Sequence, residues 1–173
     1  MEMMVVGKKG FTLIETLITI SVLVVLSTIA MPIFNSIIQS NATASETNSF
    51  ISYVMLARQE AVNRGSPVIM CSKKEVRREC SSSDRWDAGW LLFEDSNLNN
   101  TFDNSDVLIS VGEIYNKSIK IRASDNIIEF LPNGFVSEDK TFNFIINQCV
   151  NDNNKKLEIF VPNNIKTTSV ACG

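Results

Sequence analysis

The chain of 173 residues contains no histidine. That absence removes a histidine-based catalytic triad, a zincin-type metal centre and an imidazole proton shuttle. No glycine-rich phosphate loop follows a strand pattern. The carboxylates are scattered and nothing singles out a dyad, so no enzyme is expected. Internal repeats and low-complexity tails are missing too. A formal charge of −3 gives no global electrostatic drive toward nucleic acid, so such binding would need a local patch. The most informative gap is local: between Glu15 and Glu46 there is no ionisable side chain.

What fills that gap is apolar. From Leu17 to Phe34 only Thr, Ser and one proline interrupt the hydrophobic run. At about 1.5 Å per residue, a helix from Phe11 to Phe34 is long enough to cross a bilayer. Glu15 sits one turn inside it, at a cost of roughly 2.5 kcal/mol or more in lipid, which points to a function. Lys8-Lys9-Gly10 precedes the run. A secretory signal peptide instead has its cleavage site after an apolar stretch of about 7 to 15 residues. Here the stretch is longer and no A-x-A pattern closes it. An uncleaved signal anchor explains the span and the lysines, but neither Glu15 nor the Gly10-Phe11 junction.

Gly10-Phe11-Thr12-Leu13-Ile14-Glu15 resembles the class III signal of type IV prepilins and type II secretion pseudopilins. The resemblance implies a leader over 1–10, cut after Gly10 by a membrane prepilin peptidase that then methylates Phe11. It makes Glu15 the fifth mature residue, with a role in assembly, and puts Pro32 at the family's helix kink. Losing Glu2, Lys8 and Lys9 leaves the mature chain one unit more negative. Lys8 and Lys9 orient the N-terminus to the cytoplasm, so a single pass in the inner membrane leaves the rest in the periplasm. All four cysteines follow residue 70, on that oxidising side.

The helix is expected to continue past Pro32, because membrane helices tolerate an internal proline. Phe50, Val54, Ala57 and Ala61 fall at i, i+4, i+7 and i+11, one apolar face. Gly65 and Pro67 then stop the helix. The spacing therefore predicts one pilin helix over 11–64, with its transmembrane segment at 11–34. A separate short helix after a disordered linker is the alternative for the second half. A β-rich domain follows over 65–173. Its candidate strands are 68–72, 90–94, 107–111, 118–123, 127–130, 141–147, 156–161 and 168–171, with turns at Asn133-Gly134 and Asn163-Asn164. The fold class is α+β, a long helix packed on an antiparallel sheet.

Two further stretches narrow the resemblance. Leu56-Ala57-Arg58-Gln59-Glu60-Ala61-Val62-Asn63-Arg64-Gly65, with Pro67-Val68 and Cys71, is similar to the helix-to-strand junction of the GspH/FimT family. So are Trp86-Asp87-Ala88-Gly89-Trp90 with Phe93 and Asp95, and Phe130-Leu131-Pro132-Asn133-Gly134. The resemblance implies a minor pilin or pseudopilin H, with a β-rich domain on a pilin helix.

Cysteines 71, 80, 149 and 172 allow three pairings. Cys71–Cys80 with Cys149–Cys172 has the lowest loop-closure cost, and zinc is the competing reading. Asp95, Asn97, Asn99, Asp103 and Asp106 place oxygens at positions 1, 3, 5, 9 and 12 of a loop, as a calcium loop does. Asn100 replaces the turn glycine, Asp106 replaces a bidentate glutamate, and the flanks read as strands. A self-capped polar turn is preferred, with calcium the second reading and no other cofactor expected. Lys73, Lys74, Arg77, Arg78 and Arg85 form a basic loop around Cys80, either a solvated face, a contact for an acidic neighbouring subunit, or a site for DNA phosphates. Some FimT-type proteins bind DNA through an arginine-containing C-terminal motif, but residues 164–173 contain no arginine.

The expected protein is a minor type IV pilin-like subunit that initiates or tips a pilus. Type II secretion pseudopilin H and a DNA-binding minor pilin for natural transformation are the alternatives. The implied partners are other major and minor pilins or pseudopilins, the prepilin peptidase, the inner-membrane assembly platform and membrane lipid.

Overall fold

The computed structural model describes residues 10–162 and 164–172. Leader positions 1–9 and turn residue Asn163 lie outside the described residues. One helix, α1 (Leu13–Arg64), is followed by eight strands. Phe11, expected to be helical, precedes the helix because Thr12 caps it. The Thr12 Oγ1 accepts the Glu15 N–H at 3.3 Å, the backbone half of a Thr-x-x-Glu capping box. The helix runs on through position 32 without interruption and without a linker. It ends where Gly65 takes a φ of 64° and donates its N–H to the Ala61 carbonyl at 3.0 Å.

The chain forms two compact units, one up to Ile37 and one over Ile38–Gly173. In the first, apolar side chains surround the helix and stay exposed, among them Leu17, Val25 and Phe34. Its hydroxyls turn inward to the helix's own carbonyls. Ser21 and Ser27 donate to Leu17 and Leu23 at 2.7 Å, and Thr28 to Val25 at 2.7 Å. A helix that satisfies its own hydroxyls presents none of them unpaired to lipid.

In the second unit the expected face is buried: Phe50, Val54, Ala57 and Ala61. The strands are β1 (Val68–Ser72), β2 (Trp90–Glu94), β3 (Val107–Gly112), β4 (Ile119–Ala123), β5 (Ile127–Phe130), β6 (Lys140–Ile146), β7 (Asn154–Phe160) and β8 (Asn164–Val170). They form two antiparallel sheets, not one, in the orders β3-β2-β1-β5 and β4-β6-β7-β8. Phe50 bridges the two. Its ring lies 4.9 Å from Trp90 in the first sheet, and 4.7 Å and 5.7 Å from Phe142 and Phe144 in the second. One helix face thus serves two sheets, and edge-on aromatic packing joins them. Trp86, in the loop before β2, adds a fourth ring at 5.7 Å from Phe50.

The last strands also differ from expectation. β8 begins at Asn164 rather than Thr168, because its ladder with β7 extends from Val170 opposite Asn154 to Asn164 opposite Phe160. Along β2, Trp90 and Leu92 join the main core, while Leu91 and Phe93 face a second cluster with Ile69 and Cys71. The first sheet is therefore covered on both faces. Two glycines permit close approaches. A Cβ on Gly112 would strike the Trp90 indole, and one on Gly134 would lie 2.7 Å from the Val62 side chain.

Candidate functional site

The chemistry-bearing residues fall into three places. The first is the start of α1. Gly10, Phe11 and the capped first turn with Glu15 are exposed, and the apolar helix carries on from them. A carboxylate at this end favours the helix dipole and can complete the capping box.

The second place fastens the helix to the domain. Gln39 uses both ends of its amide on the loop around Cys149, donating to the Gln148 carbonyl and accepting the Val150 N–H, each at 2.9 Å. Cys149 is bonded to Cys172, with their Cα atoms 5.5 Å apart, so the same loop holds the carboxyl-terminal strand. Buried Glu46 accepts the Asn116 N–H at 2.7 Å through Oε1 and fixes the turn between β3 and β4. Neither residue stood out in the sequence. The signal for Glu46 was its position as the first charge after the long uncharged run.

The third place is the surface of the first sheet. Asp95, Asn97, Asn99, Asp103 and Asp106 are brought together, but their oxygens are taken by donors of the same loop. Asp95 accepts from the Asn99 and Asn100 N–H groups at 3.2 and 2.8 Å, and Asp106 from Ser96 and Asp103 at 3.0 and 2.9 Å. The hydroxyl and N–H of Ser105, then the amides of Asn99 and Asn97, hold the Asp103 carboxyl well below the usual range. Asn100 adopts a φ of 58°, the left-handed conformation that a calcium-loop glycine would take. Among the described residues no three acidic or cysteine side chains form a group able to hold a metal ion. The loop's visible job is to present Phe102, whose ring packs 5.3 Å from Phe93 over the outer core.

Cys71 and Cys80 are bonded, with Cα atoms 5.6 Å apart, and close the basic loop. Much of its charge is met inside the chain. Lys74 and Arg77 lie 2.8 and 3.5 Å from Glu79, whose pKa the Lys74 hydrogen bond lowers. Asp87 receives Arg122 at 2.8 Å and Arg85 at 3.3 Å. Burial pushes the Asp87 carboxyl up, but the hydrogen bonds from Arg122 and the Ile121 N–H outweigh it, leaving it below its ordinary value.

A long helix with an apolar, unpartnered first half and a two-sheet head is the build of a pilin-type structural subunit. Residues 46–161 match the family model described as type II transport protein GspH, and residues 7–31 match the prokaryotic N-terminal methylation motif. The chain belongs to the GspH family of type IV pilin-like proteins. Two crystal forms of the type IV minor pilin FimU from Pseudomonas aeruginosa (strain PAO1) share the fold. Each gives a TM-score of 0.55 at 14% identity; one alignment covers 72% of this chain and 91% of FimU, the other 74% and 89%. No curated protein sequence matches the chain. The family and its fold are structural, and an apolar helix behind an N-methylation motif fits a membrane-anchored pilin.

Proposed function

We propose that this chain is a minor pilin-like subunit that initiates or tips assembly of a type IV pilus. Residues 1–10 are a leader removed after Gly10, and Phe11 becomes the N-methylated terminus. The subunit waits in the inner membrane with residues 11–34 in lipid and residues 65–173 in the periplasm. On extraction its helix joins a bundle of other pilin stalks. The observation that carries this reading is the first half of α1, apolar on all sides and without any burial inside the chain.

Glu15 is the docking group. Its interaction with the helix dipole is worth only about 0.3–1 kcal/mol at an exposed site, too little to offset placing a charge in lipid. A cationic partner is therefore needed, and the methylated terminal amine of its own or an adjacent pilin supplies one. In the bundle that pair selects the depth at which an incoming subunit stops. Glu15→Ala is expected to leave cleavage after Gly10, membrane insertion and folding of the head intact, with cleavage read by intact mass, while recovery in sheared pili falls about tenfold or more. Wild-type recovery of a processed Glu15→Ala protein would refute the docking role. A mature N-terminus at Met1, or beyond Phe34, would refute the prepilin reading itself.

Service as the pseudopilin of a type II secretion machine is the second reading, since the matching family model carries the description type II transport protein GspH. A deletion strain scored side by side for piliation, protein secretion and transformation separates the two, and tests DNA uptake in the same experiment.

A further inference from the structure

Beside the basic loop runs a trough of about 330 Å³, continuing into a second of about 340 Å³ through shared residues Lys73, Glu75, Arg85 and Asp87. Its other wall is the turn from β3 to β4, with Glu113 and Lys117, and the start of β4, with Lys120. Both walls are pre-formed. The Cys71–Cys80 bond and the Lys73 to Cys80 bridge hold the first. Buried Ile114 and the Glu46 to Asn116 hydrogen bond hold the second.

The charges along the two walls are unspent. Among the described residues, the side chains of Glu75, Glu113, Lys117 and Lys120 have no partner within the chain, and Lys73 reaches only the Lys74 carbonyl at 3.4 Å. Arg85 and Asp87, by contrast, pair with each other. Each wall carries both signs. A polyanion such as DNA would meet Glu75 and Glu113 as closely as it meets the lysines. A protein surface with interspersed charges can answer every one of them. Next in sequence to the lining residues Glu75 and Ile114 stand two apolar anchors, Val76, 94% exposed, and Tyr115, 83% exposed. An exposed tyrosine beside a rigid, charged groove is the composition of a protein-binding patch.

We propose that this trough docks the globular head of a neighbouring pilin-type subunit, through a surface segment that carries both a carboxylate and a cation. The proposal rests on the assembly reading above and adds the face by which the head is recognised. Pre-formed walls reduce the ordering cost of binding.

The test places a photocrosslinking residue at Tyr115 in the full chain, in cells that make the whole assembly machine, with a second probe at Val25 on the apolar helix. The expected adduct at Tyr115 contains a second chain bearing an N-terminal methylation motif, identified by its peptides. Reversing the lysines in Lys117→Glu/Lys120→Glu sets like charges against the partner and lowers that adduct about tenfold or more. Formation of both disulfides confirms that the variant is folded. An adduct at Val25 with none at Tyr115 overturns the trough and leaves the assembly reading standing. An adduct at Tyr115 with nucleic acid, or a pilin adduct insensitive to the charge reversal, also overturns it. Failure of both probes overturns both readings.

Discussion

Up to Ile37, α1 leaves Leu17, Val25 and Phe34 each more than half exposed; beyond Ile38, it buries Phe50, Val54, Ala57 and Ala61 completely or nearly so. The two parts belong to one uninterrupted helix. They differ in where their apolar residues stand. In the second part the buried ones fall at the spacing of one face, and the exposed side is mainly polar, with Asn41, Asn48, Ser52, Arg58 and Gln59 among Met55 and Val62. In the first, apolar residues occur all around, so no single packing surface could bury them. The comparison teaches that the second part is stabilised by its own head domain, while the first finds no cover in its own chain and fits a membrane anchor.

The largest expected effect separates the parts by stability. Phe50→Ala removes the ring that joins both sheets and should lower stability by about 3–5 kcal/mol. Val25→Ala should leave the unfolding transition of the head unchanged. Urea unfolding of the full chain in detergent, followed through buried Trp86 and Trp90, measures both. Equal losses would mean that the apolar segment is coupled to the head after all.

Next in size is the carboxyl-terminal staple. Cys149→Ser with Cys172→Ser should cost about 2–4 kcal/mol in the same assay, because a closed loop becomes open in the unfolded chain. That stability belongs to the head alone, so membrane extraction behaviour should not change.

Much of this contrast was legible in the sequence. A missing charge is visible over a long window, and helical spacing shows which side of Phe50 to Ala61 is buried. Strand positions followed from β-branched runs between polar turns. The division into two sheets did not, because pattern gives the alternation of a strand but not its partner, and Phe50 reaches both sheets only once the chain is folded. Asn164 was read as a turn residue and lies in β8, where ladder pairing overrides its weak strand preference. In the loop over 95–106, the spacing of oxygens was readable while their occupancy was not. Backbone and amide donors claim the carboxylates only through the three-dimensional course of the loop. Gln39 looked like one polar residue among many.

Gln39 sharpens the comparison at the boundary. Gln39→Ala deletes both bonds to the Cys149 loop and should cost about 1–3 kcal/mol. The distinguishing readout is hydrogen exchange: the Val150 amide should lose protection while the amides of β6 keep theirs. Unchanged protection at Val150 would remove Gln39 as the fastening point.

The smallest effect tests whether the head, unlike the uncharged helix, carries an acid-sensitive joint. Asp87 lies where the loop before β2 meets β4, accepting Arg122 through both oxygens at 2.8 Å and the Ile121 N–H at 2.8 Å. These bonds hold its folded-state pKa below that of the unfolded chain, about 3.9. For a depressed carboxylate the stabilisation is fully present above the unfolded pKa and is lost as pH falls through the folded one. Urea midpoints of the wild type should therefore be level at neutral pH and drop once pH passes below about 4. Asp87→Asn keeps an acceptor for Ile121 but turns an amide toward Arg122, so it should lose about 1 kcal/mol at neutral pH. Its midpoint should then fall less steeply in acid. Some acid dependence must survive, because burial raises the Asp125 pKa while the Lys140 hydrogen bond at 2.7 Å and the Asn126 N–H at 2.7 Å, with the Lys140 charge, together outweigh it, giving a second depressed carboxylate. An acid drop in Asp87→Asn as steep as in the wild type would assign the joint to Asp125 and Lys140 instead.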